Sequence, residues 1–293
     1  MEPFGILASA LSVAGLFNNC VDCFEYIQLG RHFERDYATC QLKLDVAKLR
    51  LTRWGEAVKI NDDLRFQSIE PGEKSVKWAQ SLIRQIIKLF DSAWETSNEY
   101  ELVTDQQNLV VFEDKDMKPV ERALHNQMKV MADRRLKRHA TSLSKKIAWA
   151  LYGRKSLERI IEGITGLIDG LEKAFPAEVE AVRHKLVEIE IEEVEDEASL
   201  TVLKDAAVGI DTALSNAAAQ KMNAIVGSNF AKEIRTEDRA MVHVGNVFTE
   251  TTLQREVLIR EQTINAAGTV VAKGESGIQI GNTYGGNGFW NRS

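Results

Sequence analysis

Proline is scarce in this chain, four residues in 293, so few breakers interrupt any helix that forms. Cysteine is scarcer still: Cys20, Cys23 and Cys40 are the three in the chain. A small, odd number excludes a disulfide scaffold and points to a reducing, intracellular compartment. An excess of positive charge is also missing. The formal net charge of −6 argues against a nucleic-acid binder. No HExxH, nucleophile elbow or phosphate loop occurs, "GGNG" reads as a turn, and the five histidines are scattered. Neither an enzyme nor a cofactor is expected. "CVDC" (Cys20, Cys23) has CxxC spacing, but with no second pair or histidine cluster nearby, zinc and redox chemistry have little support.

Charge is absent altogether between Glu2 and Asp22, in "MEPFGILASALSVAGLFNNCVDCFEYI". A signal peptide would carry Lys or Arg before its apolar run, and none precedes this one. A membrane span is borderline. Nineteen uncharged residues would reach roughly 28 Å as a helix, but Ser9, Ser12, Asn18 and Asn19 interrupt them and Gly5 and Gly15 weaken the helix. Phe4, Ile6, Leu7, Leu11, Val13, Leu16 and Phe17 point all round the helical wheel, which fits a helix buried in a core.

With 44% apolar and 27% charged residues, most of the chain should fold around a core. Residues 1–226 read as helical. In "LERIIEGITGLIDGLEKAF", Leu157, Ile160, Ile161, Ile164, Leu167, Ile168 and Leu171 follow i, i+3, i+4, i+7 spacing, and Pro176 should end that helix. Tyr37–Val58, Val76–Trp94 and Val120–Leu136 carry similar periods, with Pro71 and Pro119 between them. Ser199 is placed to cap a helix running to about Val226. Only "NLVVF" (Asn108–Phe112) reads as a strand. An all-α bundle is the expectation.

Residues 221–293 differ. They hold nine of the 19 glycines, no proline, and short alternations such as "MVHVGNV" and "GIQIGNTY". Self-comparison gives a repeat. Residues 229–247 lie over 265–283 at an offset of 36, with Asn229/Asn265, Ala231/Ala267, Gly245/Gly281 and Asn246/Asn282 identical. Stacked as rungs of a β-solenoid, Ala231, Ile234, Val242 and Val244 would face inward above Ala267, Val270, Ile278 and Ile280. Met241 and His243 would face out. Gly245 and Gly281 could turn corners at positive φ, and the asparagines could form amide ladders. Glu237 would meet Lys273, and Arg239 would meet Glu275. Identical rungs ~4.8 Å apart would repel by about 1 kcal/mol per like pair, whereas these two alternate in sign and can propagate from molecule to molecule. Two rungs alone bury little. The tail is therefore expected to be disordered as a monomer and a two-rung β-solenoid when amyloid.

"EPFGILASALSVAGLFNNCVDCFEYIQLGR", "RWGEAVKINDD", "QQNLVVFEDKDMKP", "HKLVEIEIEEVEDEASLT" and "YGGNGFW" resemble the fungal HET-s/HET-S heterokaryon-incompatibility family over essentially the whole chain. The resemblance implies a helical HeLo domain (1–226) and a prion-forming domain (221–293). It also implies that amyloid folding of the tail activates the HeLo domain, whose Pro3–Val21 segment then inserts in membranes and kills the cell. Implied partners are further copies of the chain, a prion-form variant of the family, an NLR-type receptor with a matching amyloid motif, and membrane lipids. The implied location is cytoplasmic when latent and the plasma membrane when active. Tyr284, Phe289 and Trp290 match an aromatic segment that folds back on the solenoid. His32 stands where the killing form has histidine and the non-killing form proline, and Asp22 matches a second activity position. The alternative is a prion-type antagonist that forms amyloid without permeabilising membranes. A third charge pair usual in the family is missing, with Lys232 opposite Gly268.

Two charged runs remain. "KVMADRRLKRH" (Lys129–His139) and "EIEIEEVEDE" (Glu188–Glu197) read by default as solvated helix faces; the alternatives are contact with nucleic acid or anionic lipid, including membrane docking in an active pore-former, for the basic run, and balance of the basic helix or repulsion of acidic partners for the acidic one.

Overall fold

The computed structural model describes residues 11–30, 37–103, 111–136, 149–152, 154–226, 228–245, 247–248, 264–281 and 283–284. It divides into two compact units between Ala218 and Ala219. Eight α-helices are found among the described residues: α1 (Val13–Cys23), α2 (Tyr37–Ala57), α3 (Lys74–Val103), α4 (Pro119–Arg135), α5 (Arg154–Ala174), α6 (Pro176–Glu192), α7 (Glu197–Ala207) and α8 (Thr212–Val226).

Helix α2 is the centre of the bundle and packs on α1, α4, α5, α6 and α7. Its sequence explains the position. Leu42, Leu44, Val46, Ala47, Leu49, Leu51 and Trp54 spread round the helix, and all are buried. α3 and α5 are instead amphipathic and pack on each other, α3 through Val76, Leu82, Ile83, Ile86, Ile87 and Phe90, α5 through Leu157, Ile160, Ile164, Ile168 and Leu171. Pro176 ends α5 and also opens α6, where a missing N–H costs nothing.

Two expectations need correction. Ser199 does not cap a single long helix. The cap is Asp196, whose side chain accepts from Ser199 N at 2.8 Å, and α7 stops at Ala207. Gly209 follows at φ 77°, where a Cβ would be strained, and Asp211 caps the separate α8. The second concerns strands: the helical unit is the expected all-α bundle, but the strand pair among its described residues is not where "NLVVF" was expected. β1 (Ile27–Leu29) and β2 (Trp149–Leu151) pair in parallel, with Ile27 opposite Trp149. Of "NLVVF", Val111 makes an isolated antiparallel bridge to Gly30, and residues 108–110 lie outside the described residues.

The second unit carries strands in three parallel pairs: β3 (Ser228–Thr236) with β6 (Ile264–Ala272), β4 (Met241–Val244) with β7 (Gly277–Ile280), and β5 (Val247–Phe248) with β8 (Thr283–Tyr284). In each pair the partners are 36 positions apart, as in Asn229 opposite Asn265 and Val242 opposite Ile278.

Candidate functional site

The apolar segment near the N-terminus is seated in the core as far as it is described. Ser12 caps α1, its hydroxyl accepting from Gly15 N at 3.2 Å. Val13, Leu16, Phe17, Cys20 and Val21 are at most 1% exposed. Phe17 lies against α2, its ring centroid 5.8 Å from that of Trp54. Gly55 makes that seat possible: a Cβ there would stand 2.3 Å from Phe17 Cζ. No helix among the described residues is long and apolar enough to cross a membrane. Leu11 is half-buried, while Phe4, Ile6 and Leu7 lie outside the described residues.

The end of α1 is tied down by charge. Glu25, in the 3₁₀ turn Phe24–Tyr26, pairs with Lys48 of α2 and, at 2.9 Å, with Lys129 of α4. Burial raises the Glu25 carboxyl, but the two ammonium groups outweigh it and hold it below the ordinary value. Lys48 also donates to Asp133 at 3.1 Å. Beside this cluster, His125 Nδ1 sits 2.6 Å from Asp45 Oδ2, and its Nε2 is 3.8 Å from Asp114. Burial would depress His125, yet Asp45 and Asp114 lift it above the usual imidazole range. Burial also lifts Asp45, and the imidazole only partly offsets that. The pair therefore holds its proton to higher pH than either group would in water.

The opposite side of α2 holds the start of α8. Arg53 (5% side-chain exposure) faces Glu190 of α6 (1%) and Asp211 (3%). Its Nε donates to Glu190 Oε1 at 3.0 Å, and its Nη2 to Oε2 at 2.5 Å. Asp211 Oδ2 is 2.8 Å from the same Nη2 and forms an ion pair with it. Asp211 Oδ1 accepts from Leu214 N at 3.1 Å, capping α8. Burial raises the Asp211 carboxyl, and Arg53, first among its partners, brings it below the usual range. One turn back, Arg50 Nη1 donates to Ile210 O at 2.7 Å, while Nη2 meets Asp169 at 2.6 Å and Glu172 at 2.7 Å. The stretch Arg50–Gly55 thus touches the α1 segment through Trp54 and Gly55, and the cap of α8 through Arg50 and Arg53.

The charged runs correct their default reading. Glu190 is buried, and Arg135 joins Arg53 on it while also pairing with Glu56 at 2.8 Å. Arg134 pairs with Glu193 at 2.7 Å. The basic and acidic runs balance each other, and residues 137–139 lie outside the described residues.

In the second unit, Lys273 Nζ is 3.6 Å from Glu237, and Arg239 Nε is 3.0 Å from Glu275. Both pairs are exposed, so each contributes at most about 1 kcal/mol. Gly245 and Gly281 have φ of 142° and 133°, and a Cβ on Gly245 would stand 2.6 Å from Gly281 O. Only glycine fits there. Ile234 is buried and Ala231, Ala267, Val242, Val244 and Ile278 are half-buried, but Val270 and Ile280, expected inside, remain 44% and 41% exposed. Within one chain each rung has a neighbour on one side only. Met241 is exposed and His243 is half-buried, with both ring nitrogens shielded and without a hydrogen-bond partner among the described residues. Opposite Lys232, a side chain on Gly268 would begin 2.7 Å from the Lys232 carbonyl, so backbone proximity removes the third charge pair. Tyr284 lies in β8. Asn246, Asn282, Phe289, Trp290 and His32 lie outside the described residues, and Asp22 is half-buried at the end of α1.

Reasoning from the sequence missed Arg50, Arg53 and Glu190. A signal existed, since Arg50 and Arg53 alternate with Leu49, Leu51 and Trp54 in a helix apolar all round, and buried arginines need acids elsewhere.

Comparison with known proteins agrees with this architecture. The HeLo family, described as prion-inhibition and propagation, matches residues 5–203, and the family described as Het-s 218-289 matches residues 221–285. The chain is 65% identical over 289 residues to heterokaryon incompatibility protein S of Podospora anserina, covering 99% of each chain. It is equally similar to heterokaryon incompatibility protein s of Podospora anserina, 65% over 289 residues with the same coverage. The solved HET-S N-terminal domain superposes with a TM-score of 0.73 at 66% identity, covering 77% of this chain and 100% of that one. A double mutant of the HET-s N-terminal domain gives 0.70 at 66% identity, covering 73% and 99%. A HeLo bundle followed by paired prion repeats, with this identity along the whole length, makes the chain a member of the HET-S/HET-s heterokaryon incompatibility family.

Proposed function

We propose that this chain is a latent pore-former switched on by amyloid folding of its own tail. One observation carries the reading: α8 ends at Val226 and β3 begins at Ser228, so a single residue joins the helical unit to the first rung. A rung propagating in a fibril pulls on α8, whose cap rests on Arg50 and Arg53. The α1 segment rests on the same turn and a half of α2. Crowding acts in the same direction. Two rungs advance a fibril by ~9.5 Å per molecule, whereas a helical domain is ~25–30 Å across. Domains joined by one residue cannot all keep their closed fold beside such a column. Released, the Pro3–Val21 segment enters the plasma membrane; until then the protein is cytoplasmic. His32 assigns the chain to the killing form. Its trigger is the prion-form variant or an NLR-type receptor with a matching motif.

The test mixes full-length protein, preformed fibrils of residues 221–293 and dye-loaded liposomes. Leakage that needs both protein and fibrils supports the reading. Fibril growth without leakage makes the chain the antagonist kind and overturns it.

A further inference from the structure

A groove of about 750 Å³ opens between the C-terminal end of α2, the end of α4 and α6. Its volume lies in the ~300–1,000 Å³ range of small-ligand sites. The walls are apolar: Phe17 and Ile60 on one side, Val182, Leu186 and Ile189 on the other. Ile189 is 41% exposed and adds apolar surface to the groove beside Leu186.

Four cations line the groove against two acids, Glu56 and Asp62, and the cations are not equivalent. Arg134 and Arg135 are occupied by Glu193, Glu190 and Glu56. Lys59 and Lys185 are exposed and make no ion pair among the described residues. Lys59 is also held at φ 54°, in the left-handed conformation that closes α2. Ile60 N donates to Gly55 O at 2.9 Å and Lys59 N to Glu56 O at 3.0 Å, the pattern in which glycine is the easy residue. A lysine there is conformationally strained, and it sits at the negative end of the helix.

We infer that this groove binds an anionic phospholipid, its acyl chain along Ile60, Leu186 and Ile189 and its phosphate between Lys59 and Lys185. An apolar trough with two unpaired ammonium groups at its mouth complements a molecule with an apolar tail and a compact anionic head. The inference deepens the proposed membrane role and rests on it for the source of the ligand. It also places lipid against Phe17, so the closed protein meets a membrane at the helix it would release.

The test uses the full-length chain without fibrils, floated with vesicles of phosphatidylcholine alone or with phosphatidic acid added. Wild type should float only with phosphatidic acid. Lys59→Gln/Lys185→Gln should bind about thirtyfold more weakly, the worth of two lysines at an anionic surface. Lys77→Gln/Lys155→Gln, the same change in net charge at exposed positions away from the groove, should bind as wild type. Equal loss in both double variants would reduce the effect to net charge and overturn the inference, as would flotation with phosphatidylcholine alone or no flotation at all. Inorganic phosphate competing as well as lysophosphatidic acid would make this a phosphate site and also overturn it. Far-UV circular dichroism checks that each variant is folded. Flotation reads neither leakage nor fibrils, so the groove and the triggered-pore reading can fail separately.

Discussion

Asp211→Asn separates two jobs that one side chain performs. The amide keeps an oxygen for Leu214 N, now 3.1 Å from the carboxylate, and asparagine is as good a cap as aspartate. What it loses is the charge 2.8 Å from Arg53 Nη2. Removing one partner of a buried pair costs ~3–5 kcal/mol when the remaining ion is left alone. Arg53 is not left alone, because Glu190 still accepts from its Nε at 3.0 Å. The expected loss is therefore about 2 kcal/mol. Asp211→Ala forfeits the cap as well and should lose about 3 kcal/mol. Urea unfolding of the full-length chain, followed by tryptophan fluorescence, measures both. A 2 kcal/mol loss raises the open population about thirtyfold, so fibril-triggered leakage should start sooner in Asp211→Asn. If Asp211→Asn matches wild type within about 0.5 kcal/mol while Asp211→Ala falls by about 1 kcal/mol, the carboxylate is only a cap and the link from α8 to α2 is refuted.

Three further outcomes follow from the same geometry. His125 holds its proton more tightly folded than unfolded, so the stability it contributes is full below the unfolded imidazole value near ~6.5 and is lost as pH rises through the folded value. Urea midpoints at about pH 6 and about pH 8 should show that fall, and His125→Gln should flatten it. Gly55→Ala gains about 1 kcal/mol of helix propensity but drives a methyl to within 2.3 Å of the Phe17 ring. A net loss of about 1–2 kcal/mol in the same unfolding assay is expected, and a stabilised variant would show that Phe17 is not seated there. A long Gly/Ser spacer after Gly227 should leave fibril growth seen by thioflavin fluorescence unchanged and abolish leakage; undiminished leakage would sink the single-residue coupling.

The helices were legible because their signals are local. Leu157 to Leu171 mark one face of α5 within a short window, and the prolines at 119 and 176 open α4 and α6. The break between α7 and α8 was missed although its signal is local: Gly209 followed by Asp211 and Thr212 is a stop and a start. The apolar run from Leu200 to Ile225 masked it. β1 and β2 were not legible, because Ile27–Leu29 and Trp149–Leu151 are three-residue strands far apart in the chain. The Arg53–Glu190–Asp211 cluster also joins distant segments, and nothing local to Arg53 names its partners. The repeat register could be read because shared asparagines and glycines fix an offset before any fold is known, and the strands pair at that offset of 36. How much of each rung stays uncovered could not be read from it, as Val270 and Ile280 show.

The three cysteines give the closed bundle a chemical silence that opening would break. Cys20 and Cys23 of α1 and Cys40 of α2 are all buried, and none of them is in a disulfide. Burial first, with Cys23 and Asp22 adding to it, pushes the Cys20 thiol well above its ordinary value. Thiolates attack alkylating reagents, so while α1 is seated Cys20 does not ionise readily and neither of its two thiols meets the reagent. Once α1 leaves, both emerge on one face of a helix, three residues apart and ~5–6 Å from one another. A molecule that has opened then carries a permanent covalent mark in the presence of an alkylating agent, and one that stayed closed does not. Counting marked chains by mass would date the opening of each molecule against the growth of the fibril, with no label engineered into the protein.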